Sequence, residues 1–176
     1  MNWRHSNWLP TLLTLSAALA LLLSLWLPSD LRLSQRISGL MWSYPRETYN
    51  QAELASLLLN TRIHYWQEQG RLRLLSNHGA QMDITLTLME ESGPAKLHIA
   101  IQGSWQLSDG FLILKSDHYT ALPLNEAGQK ALKEHAVAVR DIWLTLFNRS
   151  RPIRLLGEEY LLLSNDGGRP WVLTKQ

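Results

Sequence analysis

Cysteine is absent from the chain. That excludes a disulfide framework and any thiolate metal site, and it says little about compartment. An excess of one charge is also absent. The 17 Lys and Arg residues stand against 15 Asp and Glu, for a net charge of +2. The basic residues are scattered rather than striped, so the electrostatic footprint of a direct nucleic-acid binder is missing. No G-x-S-x-G, H-E-x-x-H, P-loop or G-x-G-x-x-G motif occurs. Glu134-His135 has no second ligand at i+4, and His64, His78, His98 and His118 share no ligand-like spacing. Nothing in the pattern pairs Asp83 or Glu90 with another carboxylate. With these constellations missing, the expectation is a protein that is not an enzyme and that holds no resident metal or cofactor.

What is present begins with an apolar run. No charged residue falls between Ser6 and Ser29, and Leu9–Leu27 forms a core of 19 residues. As a helix this core spans about 28 Å, close to the hydrocarbon thickness of a bilayer. Trp8 and Trp26 fall where interfacial aromatics sit. Pro10 lies in the first turn, where a missing N–H is harmless, and Pro28 ends the run. A cleavable signal peptide would need small residues just after the apolar core. Leu25-Trp26-Leu27-Pro28 stands there instead. The expected organisation is a tail at 1–8, an uncleaved transmembrane helix at 9–28 and a folded domain at 29–176. Arg4 and the amino terminus favour a cytoplasmic tail, although Arg32 and Arg36 pull the other way.

The folded part reads first as short strands. Met82, Ile84, Leu86 and Leu88 alternate with Asp83, Thr85 and Thr87, the pattern of a half-buried antiparallel strand. Leu97, Ile99 and Ile101 repeat the pattern. Strand candidates also lie at 40–47, where Pro45 cuts the run short, and at 55–69 and 71–77, with Gly70 turning the chain between them. Ser108-Asp109-Gly110 is a tight turn between two apolar runs. Then the period changes. Leu132, Ala136, Val139, Trp143 and Leu146/Phe147 fall at helical spacing within 125–148, with Asn125 as N-cap and Gly128 weakening the start. Three more strand candidates follow at 151–157, 159–165 and 169–176, with turns at Gly157-Glu158 and 165–168. The fold class is α+β, mainly β. About eight antiparallel strands close, or nearly close, into a lipocalin-like barrel with one helix. The alternative is an open twisted sheet with the helix on one face.

Tryptophan is abundant, with eight residues in the chain. Aromatics occur in nearly every element. They serve either as packed core or as the lining of an apolar ligand site or partner surface, and sequence alone does not separate the two. The candidate surface residues are Trp66, Trp105, Phe111, Leu112 and Leu114.

The stretch "GSWQLSDGFLIL" carries a resemblance. A short tail, one anchor and a hairpin containing Gly103, Ser104, Trp105, Leu107, Ser108, Asp109, Phe111 and Leu112 resemble the ToxS family of transmembrane regulatory proteins. Trp42, the helix and the "LLLSNDGG" segment at 161–168 follow in the family's order. The resemblance implies a single-pass protein of the bacterial inner membrane with a periplasmic domain. It implies a heterodimer with a ToxR-like membrane-anchored transcription factor, which the protein stabilises and activates, and a shared pocket for bile acids or other apolar ligands. Two other readings stand beside it: a stand-alone anchored carrier of an apolar ligand, and an envelope assembly factor without a ligand. Amino-terminal sequencing of the membrane fraction tests the anchor. The mature chain should begin before the apolar run, and a start near Ser29 would overturn the assignment.

Overall fold

The computed structural model describes residues 12–19, 29–50, 63–90, 93–164 and 170–176. Residues 12–19 are helical (α1), with Leu12, Leu13, Leu15 and Leu19 all exposed. The rest of the expected 9–28 span lies outside the described residues. Among the described residues no helix is long and apolar enough to cross a membrane. The "NDGG" turn at 165–168 and the strand start expected at 55–62 also lie outside them.

A second helix, α2 (Ser29–Ile37), precedes eight strands: β1 (Met41–Asn50), β2 (Ile63–Leu74), β3 (Gly79–Glu90), β4 (Gly93–Ser108), β5 (Phe111–Pro123), β6 (Ser150–Leu156), β7 (Tyr160–Leu163) and β8 (Trp171–Lys175). Helix α3 (Glu126–Phe147) stands between β5 and β6. The strands form a closed barrel in chain order, each antiparallel to its neighbours, and β8 returns to pair with β1. The expected meander of about eight strands is present and its circle is complete, so neither the open sheet nor the unclosed barrel describes it.

Alternation builds the wall. Met82, Ile84, Leu86 and Leu88 of β3 and Leu97, Ile99 and Ile101 of β4 are buried on the inner face, as period-2 patterning requires. Trp42, Tyr44, Leu72, Leu74, Leu161, Leu163 and Leu173 complete the interior, and nearly all of these are 0–1% exposed. Side chains so inaccessible face no void that would admit a water molecule. The barrel of this single chain is therefore filled by its own residues along those strands.

Closure is uneven. β1 meets β8 only at Trp42↔Lys175 and Ser43↔Thr174, and β5 meets β6 only over Phe111–Ile113. Beyond those pairs β1 and β5 have no strand on that side among the described residues, and α3 packs across β4 and β5. Its buried residues are Gly128, Ala131, Val139, Ile142, Trp143 and Phe147. Val139, Trp143 and Phe147 were expected on that face, whereas Ala136 is exposed. At this seam burial pushes the Tyr119 hydroxyl up to about 12, and Arg140 pulls weakly the other way.

Three local expectations change. β2 runs straight through Gly70, because the glycine is there to admit a ring. A Cβ at Gly70 would lie 2.6 Å from Tyr44 Cζ and Oη, and that ring stacks on Trp171 at 5.6 Å. β1 also continues past Pro45, which the strand absorbs in a register shift between Tyr44 and Glu47. Gly128 does not delay α3. The helix starts at Glu126, and a Cβ at Gly128 would run into the Lys96 carbonyl oxygen, so only glycine lets the helix sit this close to β4.

A third glycine makes a test. Gly103 sits at the register shift of β4 against β5, and an added Cβ would collide with the Lys115 carbonyl oxygen and backbone. Gly103→Ala should destabilise the domain by about 3 kcal/mol, the upper end of ordinary overpacking. A denaturant titration reads the change, and an unaltered midpoint would contradict the close approach.

Candidate functional site

The β4–β5 hairpin has a two-residue turn. Asp109 and Gly110 both adopt positive φ, 53° and 78°, as a type I′ turn requires. In such a turn successive N–H groups point to one side and form an anion-binding concavity. Asp30 of α2 fills it. Its Oδ2 accepts from the Asp109 N–H at 2.7 Å and its Oδ1 from the Gly110 N–H at 3.1 Å. The Gly110 carbonyl accepts from the Ile153 N–H at 3.0 Å, so the same turn starts the β5–β6 seam. A second tie joins α2 to the β6–β7 turn. Arg36 Nη2 lies 3.4 Å from the Gly157 carbonyl, which accepts from it, and 3.7 Å from Glu158 Oε1.

Trp105 holds the neighbouring turn. Its indole Nε1–H donates to the Leu75 carbonyl at 2.9 Å, and its backbone N–H to the His78 carbonyl at 2.8 Å. The ring packs tilted against His78, centroids 5.3 Å apart. The hairpin motif is thus legible in physical terms: Gly103 for close approach, Trp105 for the β2–β3 turn, and Ser108-Asp109-Gly110 for the receptor of Asp30. Ser104 is exposed beside Lys115 in the ladder.

The expected surface residues do not share one surface. Trp66, Trp105, Leu112 and Leu114 are buried inside the barrel, while Phe111 is exposed on the outside. Trp66 meets Trp143 of α3, centroids 5.9 Å apart. The Trp143 Nε1–H is buried and has no hydrogen-bond acceptor among the described residues.

Two charged side chains are buried with them. Glu68 accepts from the Trp66 Nε1–H at 2.7 Å. Arg151 donates through Nη2 to the Leu146 carbonyl, and its guanidinium lies 3.9 Å from the centre of the Trp171 ring. Neither was singled out from sequence. Period-2 counting would have found both, because Glu68 shares its face with Trp66 and Leu72, and Arg151 with Ile153. Asp30 was also missed, although a type I′ turn advertises an anion site and an acid stands just after the apolar run.

On the outer face a groove of about 530 Å³ lies between β1 and β4, lined by Arg46, Gln69, Arg71, Asp83 and His98 among others. His98 Nε2 stands 3.5 Å from Asp83 Oδ1 there. Among the described residues no three His, Asp or Glu side chains gather as a metal set.

Fold and site together define a closed β-barrel module with a short helix, α2, docked on the turns at one end. The family model "Trans-membrane regulatory protein ToxS" matches residues 26–170, and the chain belongs to that family. The family's description is of a regulatory protein of the membrane, in line with the resemblance carried by the hairpin. No curated protein matches the sequence.

Trp105→Ala should cost about 3–5 kcal/mol of domain stability, as buried aromatic truncations do. Trp105→Phe keeps most of the apolar contact and removes one of two donors to the Leu75 carbonyl, which retains the His78 N–H at 3.1 Å, and should cost about 1 kcal/mol. Chemical denaturation of both variants checks the order. A Trp105→Ala variant as stable as the parent would remove the residue from the core.

Proposed function

We propose that this protein is a single-pass inner-membrane partner whose periplasmic barrel binds, stabilises and activates a ToxR-like membrane-anchored transcription factor. Family membership supports the regulatory role. The observation that carries the partner reading is the edge of β5. From Leu114 to Pro123 this strand pairs with β4 and, among the described residues, with no strand on its other side. Leu122 and Leu124 stand near its end, 54% and 55% exposed. A partner strand laid there would satisfy main-chain groups and cover apolar side chains at once. Two proteins anchored in one membrane also meet at a raised effective concentration.

An apolar ligand such as a bile acid belongs to the same reading. Its support is the way the upper barrel is closed, by a helix rather than by strands. A helix can shift without unzipping a ladder, and Trp66 and Trp143 meet beneath it with a buried N–H to offer. The ligand site would then form between the two partners as α3 moves, and not within the packed single barrel.

The full chain, in lipid, should melt higher in the presence of a ToxR-like partner. Mass action gives about 2.7 kcal/mol at a hundredfold excess over Kd. Leu122→Asp with Leu124→Asp should leave the isolated protein within about 0.5 kcal/mol of the parent, as exposed substitutions do, while abolishing the partner's effect. Equal midpoints with and without partner would sink the proposal. A rise with steroid alone, as large as with partner and steroid, would favour the stand-alone carrier. No rise with either would favour an assembly factor.

A further inference from the structure

The barrel has two dissimilar ends, and the clamp described above selects one of them. The β4–β5 turn, the β6–β7 turn and the start of β1 lie together at the end where α2 docks. Helix α3 begins at the opposite end, where Asn125 Oδ1 accepts from the Lys96 N–H. Asp30 lies three positions after Leu27, the last apolar residue of the run. Three residues reach at most about 11 Å. If the run lies in a bilayer, the lipid surface is within that distance of Asp30, and Asp30 is bonded to the 109–110 turn.

That end also carries apolar side chains with nothing over them. Leu31, Phe111, Leu156 and Tyr160 are 40–48% exposed. Leu156 and Tyr160 are paired neighbours across the β6–β7 turn. Phe111 follows the turn held by Asp30, and Leu31 is the next residue after Asp30. Aromatic and aliphatic side chains at this height match the headgroup layer of a membrane. Charges of both signs surround them: Arg36 is matched by Glu158 at 3.7 Å, and Arg154 and Glu159 are both exposed. Adhesion there rests on apolar contact and the short tether, and calls for no anionic lipid.

We infer that the hairpin end of the barrel rests on the lipid surface in a fixed posture, with Phe111, Leu156 and Tyr160 in the headgroup layer and Asp30 as the positioning residue. This rests on the reading of the apolar run as a membrane anchor. The posture has a consequence for partner choice. The edge of β5 that pairs with no strand among the described residues runs on from Ser116, whose N–H donates to Asn148 Oδ1 at 2.6 Å, and so lies more than about 10 Å along the strand from Phe111, on the side away from the membrane. A tethered partner must present its strand at that height.

The absence of cysteine makes the test direct, because each introduced thiol is unique. Full-length chains carrying Phe111→Cys or Tyr160→Cys at the lower end, or Leu124→Cys or Val137→Cys elsewhere, are labelled with an environment-sensitive fluorophore. They are placed in phosphatidylcholine liposomes containing a lipid spin-labelled at its headgroup. Quenching at 111 and 160 should exceed that at 124 and 137 at least threefold and should be insensitive to salt. Asp30→Ala should bring the ratio near one while the melting midpoint of the barrel changes little. Asp30→Asn, which keeps one acceptor oxygen, should give an intermediate ratio. Chains that float with the liposomes but quench equally at all four sites would overturn the posture and leave the anchor standing. Chains that fail to float would overturn both. A ratio unchanged in Asp30→Ala would overturn the role given to Asp30.

Discussion

Strands β2 to β5 run 12, 12, 16 and 13 residues, whereas β6, β7 and β8 run 7, 4 and 5. Short strands can close the circle only along part of the long ones. The remaining height of the wall has to be covered by something else, and α3 supplies the cover. Its attachment to β4 is correspondingly close. Asn125 Oδ1 accepts from the N–H groups of Gly128 at 2.8 Å and Lys96 at 3.0 Å, and its Nδ2 donates to the Pro94 carbonyl at 2.8 Å. One N-cap side chain therefore starts the helix and fastens it to the sheet. The free edge of β5 and the tryptophan pair under α3 both follow from this mismatch of lengths.

At the other end the barrel is tied down more firmly. Ile37 is fully buried. The Gly39 N–H donates to the Leu74 carbonyl at 2.6 Å, and the Gln176 N–H to the Met41 carbonyl at 3.0 Å. Within 12 residues the β4–β5 hairpin meets the chain three times: the β2–β3 turn through Trp105, α2 through the 109–110 N–H groups, and β6 through the Gly110 carbonyl. These ties fix α2 to the barrel at this end. The opposite end is covered by α3, which Asn125 ties to Pro94 and Lys96.

Burying Glu68 and Arg151 has a cost, since charged groups leave water at a penalty unless they are well partnered. Here the indole of Trp66, the ring of Trp171 and the Leu146 carbonyl offset part of it. A one-residue slip in β2 or β6 would turn these side chains to the other face along with the apolar set. Such a slip would return the two charges to water, so the register is held by the apolar set that the slip would expose and not by the charges.

The eight-strand meander, the helix at 126–147, the turn at 108–110 and the apolar run were all legible in the sequence. Each is encoded by a local period or by turn chemistry within a few residues. Alternation along β3 and β4 named the inner face correctly for the same reason. The candidate surface residues were less legible, because Trp66 and Trp105 look alike whether they line a pocket or fill a core. What only the tertiary structure decided are the meetings of distant residues: Asp30 with Gly110, Gly70 with Tyr44, Gly128 with Lys96, and Gly103 with Lys115. A glycine in a sequence advertises freedom of the backbone but not the neighbour that needs its missing side chain. An acid near a helix start does not reveal the turn some 80 positions away that will hold it. Those contacts depend on strand register and closure, and these are settled only when the whole barrel forms.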